Sequence, residues 1–436
     1  GFNTRWRDDI QREIDFQNGN VDFPPFIQFA GATPVVTPLQ NMLLWGLGPA
    51  VGLTGWAAMA LAVVLLFRRR ELAFAMPLAF AAGIFLFQGP RFVAFMRYFA
   101  PMYPVICLQA GWALAALWRR AVRGQLSPPD IRAAGAARVV VALRARPAIL
   151  RRGAFVAIAI VLGGAAWWAI AFQAVYTNDH PRLAASAWIY QNVPAGAAIT
   201  GEIWDDTLPY ALPGQPVGAY RLIETEPYAT DSDDKVYRLV YGSDASPERK
   251  GGLNGADYVA LASNLIRSSV QRLEREYPAT IRYYQLLESG ELGFDLVAHF
   301  EVRPSFLGIT YDDSAAEESF TVYDHPEVWI YKKSERFNAD RALALLNDAH
   351  PERAVDLLPR QGRTNGLQFT AEERAIQERG GTFSDAFNQG GMTSHNLPWL
   401  WWLLWLEAAA FAALPFTSWL FRAMPDRGYG FSKLAG

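Results

Sequence analysis

The sequence predicts a helical membrane protein with about five transmembrane helices and an extracytoplasmic α/β domain. Three observations support this fold class. Five apolar runs are each close to the length of about 20 residues that an α-helix needs to cross the hydrocarbon core of a bilayer. Lys and Arg are concentrated in alternate connecting segments, as in membrane proteins of fixed topology. The long polar stretch between the fourth and fifth runs alternates helix-like and strand-like patterns, which is typical of a layered α/β sheet.

The five apolar runs define the predicted spans. Hydrophobic residues make up 51% of the 436 residues and charged residues only 19%, so the chain is more apolar than most soluble proteins. Glu407 is the one charged residue in the interior of a run, which argues against an ion-coupled transporter. The predicted spans are residues 42–67, 71–88, 99–118, 153–175 and 397–421.

The positions of arginine and lysine predict which segments face the cytoplasm. The segments after the first, third and fifth spans contain 15 basic and 3 acidic residues, and nine of the arginines lie in residues 119–152. Under the positive-inside rule these segments are cytoplasmic, and anionic membrane lipids are their expected partners. Residues 176–394 contain 33 acidic and 20 basic residues and are expected on the outer side of an integral cell (inner) membrane. Such an acidic surface indicates that the chain does not bind nucleic acid.

The segment before the first span has two parts. Trp6, Ile10 and Ile14 recur at a spacing of four residues, which predicts an amphipathic helix on the membrane surface. Four prolines between residues 21 and 39 then argue against regular structure and predict a surface or re-entrant loop.

The external stretch begins with a predicted helix that Asn178 or Asp179 caps, followed by a buried strand over residues 197–203. The alternation continues downstream, and residues 319–333 are predicted as a β-hairpin that turns at Asp324-His325-Pro326. The predicted organisation begins with an external segment 1–39, a four-helix membrane region 40–176 and an extracytoplasmic α/β domain 177–335. A helical linker 336–396 follows, with a capping box at Thr370 and Glu373. Residues 397–436 hold the fifth membrane helix and the start of a further membrane module.

Several external carboxylates are candidate ligand contacts. Asp205 and Asp206 follow the predicted strand at its carboxyl end, where α/β sheets often bind ligands, although helix or turn capping explains them as well. Residues 231–234 carry three aspartates whose oxygens suit a hard cation, but a solvated loop is the simpler interpretation. Asp22 is a further candidate for contact with a ligand or acceptor.

No metal site is predicted. The single cysteine, Cys107, lies in an apolar run, which excludes an intrachain disulfide and a cysteine-based metal site. The histidines lack partners at ligand spacing, so surface or capping roles are expected for all five, which are His180, His299, His325, His350 and His395.

The stretch RYFAPMYPV, residues 97–105, places an arginine at the start of an apolar run. Arg91 and Arg97 are the basic residues of a predicted outer loop, against the positive-inside trend, and Tyr98 and several phenylalanines flank them. A guanidinium binds phosphate in a bidentate manner, so the loop suits a lipid phosphate at headgroup depth. Ordinary interfacial anchoring by aromatic and basic residues explains the same pattern.

Residues 97–104, read as RY-x-x-P-x-Y-P, resemble the start of a late membrane helix in GT-C glycosyltransferases of family 39, the protein O-mannosyltransferase type. The external segments ASAWIYQNVPAGAAITGEIWDD, TIRYYQLLESGELGFDLVAHFEV and ESFTVYDHPEVWIYKK are similar to the post-membrane domain of large Chloroflexi membrane proteins of that type. The tail PDRGYGFSKLAG resembles the opening of a Chlor_Arch_YYY membrane module. The resemblance covers nearly the whole chain, and the external segments are its most specific part.

This resemblance implies transfer of a sugar from a polyprenyl-phosphate-linked donor on the outer face of the membrane. Family members use an aspartate or glutamate in the first external loop, and no carboxylate here matches that position. No catalytic residue is therefore carried over, and the chain is expected to be the carboxy-terminal part of a longer protein, enzymatic only if that protein is active. A lipid-phosphate role is carried over to Arg97, assisted by Arg91 and Tyr98. The alternative is a non-catalytic scaffold or accessory subunit of a larger membrane protein complex.

Overall fold

A computed structural model describes residues 4–21, 23–123, 147–216, 218–243, 251–363, 398–420 and 429. The chain divides into two compact units, Gly1–Arg363 and Thr364–Gly436. The described part of the first unit combines long apolar helices with a five-stranded mixed sheet. The predicted capping box at Thr370 and Glu373, and Asp22, lie outside the described residues.

The amino-terminal segment folds as helix α1, Thr4–Gln17, which confirms the helix predicted there. Its apolar residues Trp6, Ile10 and Ile14 are exposed. Near its end, the ring of Phe16 packs edge-on against phenylalanines of the following segment, at centroid distances of 5.4 and 5.9 Å. Helix α1 is therefore anchored at its carboxyl end and leaves an apolar surface uncovered by described residues.

The proline-rich segment after α1 is more regular than the sequence predicted. Pro24 and Pro25 open a 3-10 helix, Pro24–Phe29, because a proline in the first turn lacks only an N–H that would have no helical partner. The short helix α2, Val36–Asn41, likewise carries Pro38 in its first turn. The prediction of an irregular loop was wrong here, since the prolines stand where helices tolerate them.

The apolar helices are α3 (Pro49–Arg69), α4 (Ala75–Gln88), α5 (Tyr103–Arg123) and α6 (Pro147–Thr177). Among the described residues, three helical segments are long and apolar enough to cross a membrane, namely Pro49–Arg69, Met96–Ala121 and Arg151–Asn192. The second and fifth predicted spans correspond to shorter apolar helices, Leu72–Gln88 and Leu403–Trp419. The structure thus supports three spans by length and composition, and the predicted number of five is not confirmed.

The first predicted span, residues 42–67, is interrupted. Met42–Gly46 forms one π-helical turn, and α3 starts anew at Pro49 after Gly48 takes a φ of 73°. Pro49 lacks the N–H that a continuous helix would use, and a left-handed glycine does not continue a right-handed helix. Residues before the break contact the predicted external domain instead, where the ring of Trp45 lies 6.1 Å from that of Phe320.

The predicted external domain begins after α6 with helix α7, Pro181–Asn192. The helix lies where the sequence predicted it, but its N-cap is His180 and not Asn178 or Asp179. The His180 Nδ1 accepts a hydrogen bond from the Arg182 backbone N–H at 3.2 Å. An imidazole at this position therefore performs the capping that the sequence assigned to a smaller polar side chain.

The central sheet has the strand order β2-β1-β3-β7-β4. Its strands are β1 (Ala198–Glu202), β2 (Arg221–Thr225), β3 (Tyr258–Leu261), β4 (Phe294–Phe300) and β7 (Val328–Lys333), while β5 (Ser305–Phe306) and β6 (Ile309–Thr310) form a separate ribbon. β1 is parallel to β2 and β3, whereas β7 is antiparallel to β3 and β4. The predicted α/β sheet is therefore present, and it is mixed.

The predicted hairpin over residues 319–333 is wrong. The remaining helices of the domain are α8 (Asp233–Tyr241), α9 (Gly252–Gly255), α10 (Leu265–Val270), α11 (Pro278–Ser289), α12 (Glu318–Thr321) and α13 (Ala339–Asn347). Helix α12 replaces the first hairpin strand, because the Glu317 side chain caps it by accepting from the Ser319 backbone N–H. The second strand is β7, which pairs with strands distant in sequence.

Helices cover both faces of the sheet. One core lies between the sheet and helices α8, α10, α11 and α13, and it includes Ile27 from the proline-rich segment. The other core lies beneath α7 and contains Ile189, Ile199 and Ile330. Each such aliphatic side chain contributes about 1.5–3 kcal/mol when fully buried, so packing alone can hold this domain together.

In the second unit, the structure describes helix α14, Pro398–Leu420, at the position of the fifth predicted span. Large apolar side chains such as Trp405, Phe411 and Phe416 are exposed along it. Helix α14 thus has the surface of a lipid-facing or partner-facing helix.

Candidate functional site

The carboxyl ends of β1 and β3 meet near the middle of the sheet. β2 and β3 lie on opposite sides of β1, and open α/β sheets bind ligands at such a switch point, beyond the carboxyl ends of the strands. Asp205 follows β1 and Ser263 follows β3. The Ser263 Oγ donates a hydrogen bond to Asp205 Oδ2 at 2.5 Å, which joins the two strand ends.

A chamber of about 560 Å³ lies between this sheet edge and the loop that precedes α5. Arg97 and Tyr98 line the chamber from the loop, while Asp205 and Asp206 line it from the sheet. The structure thus brings together four of the residues that the sequence singled out in two separate regions. Aromatic rings form much of the remaining wall, including Phe23, Phe26, Phe95, Trp204 and Tyr323.

Arg182, at the start of α7, holds both chamber aspartates. Its Nη2 donates to Asp205 Oδ1 at 2.9 Å, and its Nη1 lies 2.6 Å from Asp206 Oδ2. Asp205 also accepts from the Ser263 hydroxyl and the Asp206 backbone N–H. Burial raises the pKa of Asp205, and Arg182 and Ser263 oppose that shift. Asp205 is therefore a structural anchor, whereas the Asp206 side chain remains 52% exposed.

Arg97 is exposed at the opposite wall of the chamber. Its guanidinium carbon lies 4.2 Å from the ring centroid of Phe95 and 5.6 Å from that of Tyr98, so cation–π attraction orients the side chain. Within the described part of the chain, Arg97 forms no ion pair. Its N–H groups therefore remain available to an anion, which a guanidinium binds through paired hydrogen bonds.

Glu317 fixes the Arg97 loop against the predicted external domain. Its Oε2 accepts a hydrogen bond from the Met96 backbone N–H at 3.3 Å, next to Arg97. The Glu317 backbone N–H donates to Asn41 Oδ1 at 3.2 Å. These contacts join residues that are 221 and 276 positions apart in the sequence, so the two walls of the chamber are held together by direct hydrogen bonds.

Glu318 lines the chamber, and the sequence patterns did not reveal it. Its Oε1 accepts from Ser268 Oγ at 3.3 Å, while its Oε2 is closed to solvent and accepts no hydrogen bond from the described residues. Burial raises the pKa of Glu318 to about 8, with Arg272 opposing the shift. The carboxyl is thus mostly protonated at neutral pH and can donate a hydrogen bond.

An apolar groove of about 650 Å³ lies beside the chamber, between α1 and the end of α4. Ile10 and Ile14 line it from α1, and Phe87 lines it from α4. Tyr98 lines both the groove and the chamber. Arg91 belongs to the groove and not to the chamber, and its Nε donates to the Phe87 carbonyl at 3.2 Å near the end of α4. Arg91 therefore interacts favourably with the dipole of α4, which accounts for part of its role.

The acidic run at residues 231–234 is not a solvated loop. Asp231 is buried, and its Oδ1 accepts from Lys235 Nζ at 2.8 Å while its Oδ2 accepts from the Thr280 backbone N–H at 2.9 Å. Ser232 caps α8, in which the two following aspartates occupy the first turn. The cluster is a structural ion pair with a helix start, and the interpretation as a solvated loop or cation site is corrected accordingly.

One histidine differs from the expectation of surface or capping roles. His325 is buried, with its Nε2 2.8 Å from Asp313 Oδ2. The pair lines a cavity of about 70 Å³ behind Glu318. His299 is exposed, as expected, but carboxylate oxygens of Glu301 and Glu327 lie within 4.8 Å of its ring nitrogen, so it has neighbours that the sequence did not predict.

Comparisons with protein-family models, with curated proteins and with solved structures find no match for this chain. The resemblance to a glycosyltransferase family therefore stays a prediction. The site combines an apolar groove, an arginine without an ion-pair partner in the described residues, and carboxyl groups at a sheet edge. Such a combination suits a ligand that is apolar at one end, anionic in the middle and hydroxylated at the other.

Proposed function

We propose that this chain is a portion of an integral-membrane, glycosyltransferase-like protein that binds a polyprenyl-phosphate-linked sugar on the outer face of the cell membrane. The observation that carries the proposal is the meeting of the apolar groove and the polar chamber at Tyr98. A polyprenyl-phosphate sugar has an apolar tail, a phosphate and a hydroxylated ring in that order. The groove, Arg97 and the sheet edge offer a matching environment for each part in the same order.

The phosphate part of the proposal rests on Arg97. Cation–π contact with Phe95 orients the guanidinium, and no described carboxylate competes for it. The less specific alternative is interfacial anchoring, in which Arg97 contacts any anionic headgroup. Binding of a specific lipid phosphate needs the fork geometry of the guanidinium, whereas anchoring needs only its charge.

The sugar part of the proposal rests on the sheet edge. Asp206 has an exposed carboxylate with one oxygen paired to Arg182, and Glu318 offers a protonated carboxyl. Both groups suit the hydroxyls of a sugar or an acceptor. Asp205 acts by holding Arg182 in place, because its own hydrogen bonds are already made.

Charge supports the proposed outer location of the site. The arginine-rich segment 119–152 is proposed to lie in the cytoplasm, and the acidic external domain on the other side. Membrane lipids then contact the exposed apolar residues of α1, such as Trp6, and the apolar surfaces of the long helices.

The experiment is sugar transfer from a polyprenyl-phosphate donor by the full-length protein that contains this chain. Arg97→Ala is expected to reduce donor use by about 10- to 150-fold, since a hydrogen bond to a charged group contributes about 1.5–3 kcal/mol. Arg97→Lys keeps the charge and should recover only part of the loss. Arg336→Ala removes an exposed arginine of the external domain that pairs with Asp295, and it serves as the matched control. Unchanged turnover in Arg97→Ala removes the proposed role.

A second candidate function is a scaffold or accessory subunit of a larger membrane protein complex. The observation that favours it is β4, an edge strand of the sheet on which Leu296 and Val297 are 52% and 39% exposed. Uncovered apolar edge strands pair readily with another chain. Purification in mild detergent followed by mass spectrometry separates the candidates, because a stoichiometric partner supports the scaffold and a lone sugar-transferring polypeptide contradicts it.

A further inference from the structure

A group of three metal-ligating side chains lies at the end of β4, outside the chamber. One ligand atom from each of His299, Glu301 and Glu327 lies within 4.8 Å of the others. His299 lies in β4, and Glu301 follows it by two residues, just beyond the end of the strand. Glu327 immediately precedes β7, which pairs with β4 and brings the third side chain of the group alongside.

Neighbouring side chains orient this cluster. The His299 ring stacks on the Trp329 ring with a centroid distance of 5.4 Å and an interplanar angle of 16°. Arg303 Nε donates to Glu301 Oε2 at 3.1 Å, and Arg303 Nη2 lies 3.8 Å from Glu327 Oε2. The Oε1 of Glu327 is left for His299, whose Nε2 is 2.8 Å away. Arg303 thus holds the Oε2 atoms of both glutamates, in the way that residues hydrogen-bonded to metal ligands orient those ligands.

The charge around the cluster favours a cation. Four carboxylates surround the single guanidinium of Arg303, and they belong to Glu301, Asp312, Asp313 and Glu327. Counting these groups gives a local net charge of −3. A simple ion pair between His299 and Glu327 leaves that excess uncompensated, whereas a divalent cation reduces it.

We propose that His299, Glu301 and Glu327 form a divalent-metal site that prefers Zn²⁺. One imidazole nitrogen and two carboxylate oxygens are zinc ligands, while Mg²⁺ and Ca²⁺ favour oxygen alone. In a tetrahedral zinc site with ligands at about 2.1 Å, neighbouring ligand atoms lie about 3.4 Å apart, so only small side-chain movements are needed. Three protein ligands leave a fourth position for water or a substrate oxygen. The proposal does not depend on the proposed function.

The test is a zinc titration of the purified full chain in detergent, in competition with a fluorescent zinc chelator. His299→Ala is expected to remove one equivalent of bound zinc or to weaken its affinity by at least about 100-fold. Glu301→Gln, at an exposed side chain, should weaken the same equivalent by at least about tenfold. A large excess of Mg²⁺ should not displace the zinc.

His350→Ala is the matched control. His350 also pairs with a glutamate, with its Nδ1 3.1 Å from Glu352 Oε1, but within the described residues these two do not belong to a three-ligand group. This variant is expected to bind zinc as the unchanged chain does. Thermal unfolding shows whether His299→Ala is folded. If it is not, the zinc affinity of Glu301→Gln is the test. The proposal is overturned if the unchanged chain binds no zinc, if His350→Ala loses the same equivalent, or if Glu301→Gln and a folded His299→Ala both keep it at full affinity.

Discussion

Glu318 should make the stability of the chain fall as the pH rises, and a single substitution should remove this contribution. Burial raises the pKa of this carboxyl from 4.5 to about 8. Between these values the unfolded chain loses the proton while the folded chain keeps it, so the folded state binds more protons. The contribution of Glu318 to the free energy of unfolding therefore falls as the pH rises from 4.5 to 8. Below pH 4.5 this contribution does not change with pH.

The magnitude follows from the size of the shift. Each pKa unit corresponds to about 1.4 kcal/mol, so the shift of Glu318 corresponds to at most about 5 kcal/mol between pH 4.5 and pH 8. Glu318→Gln retains the shape and the acceptor for Ser268 but cannot ionise. The variant should gain stability relative to the unchanged chain as the pH rises. At about 2–4 °C per kcal/mol for a domain of this size, the difference in unfolding temperature should grow by several degrees from pH 5 to pH 8.

The assay is thermal unfolding of the purified chain in detergent at pH 5, 6, 7 and 8, for the unchanged chain and for Glu318→Gln. Glu291→Gln, at an exposed glutamate in the turn before β4, is the matched control and should show the same pH dependence as the unchanged chain. A difference between Glu318→Gln and the unchanged chain that stays constant over this range would refute the reasoning, because it would mean that the folded chain ionises Glu318 in the ordinary range.

Two further pairs of substitutions test the packing of the predicted external domain by thermal or denaturant unfolding. Asp231→Ala should cost about 3–5 kcal/mol, because it leaves the buried Lys235 without its carboxylate, whereas Asp234→Ala at an exposed pair should cost no more than about 0.5 kcal/mol. Equal effects would contradict the buried ion pair. Gly252→Ala should destabilise the chain more than Gly214→Ala: both glycines have positive φ, but a Cβ at Gly252 meets backbone atoms at 2.5 and 2.6 Å and one at Gly214 meets nothing within 4 Å. The reverse order would contradict the close packing at α9.

Local signals predicted the parts of the fold that depend on neighbouring residues. Helix α7 and strand β1 lie where the sequence predicted them, because a proline start, a polar cap and a short buried run are local features. The cap itself was assigned to the wrong residue, since His180 competes with Asn178 and Asp179 over three adjacent positions.

Features that depend on distant partners escaped prediction. The strand-like pattern before β7 suggested a hairpin, but β7 pairs with β3 and β4, and Glu317 turns the preceding residues into a helix. β2 was not predicted because it pairs only with β1 at a sheet edge and its first two residues are exposed. Neither pairing has a signature within a short window of sequence.

The candidate site was predicted in pieces and not as a whole. The sequence singled out Arg97 and Asp206 for separate reasons, and only the contacts of Glu317 with Met96 and Asn41 show that they share a chamber. Glu318 has no sequence signal, because burial and not residue type gives its carboxyl a high pKa. His299 and Glu301 did offer a signal in their spacing of two, but the third ligand, Glu327, lies just before a different strand, β7.

The measurement that tests the central claim most directly is the binding of a polyprenyl phosphate, compared with the matching polyprenol that lacks the phosphate, to the purified chain. The unchanged chain should prefer the phosphate form, and Arg97→Ala should reduce that preference by about 10- to 150-fold while binding of the polyprenol stays the same. Equal affinity of the unchanged chain for both lipids, or a preference that survives Arg97→Ala intact, would contradict the account.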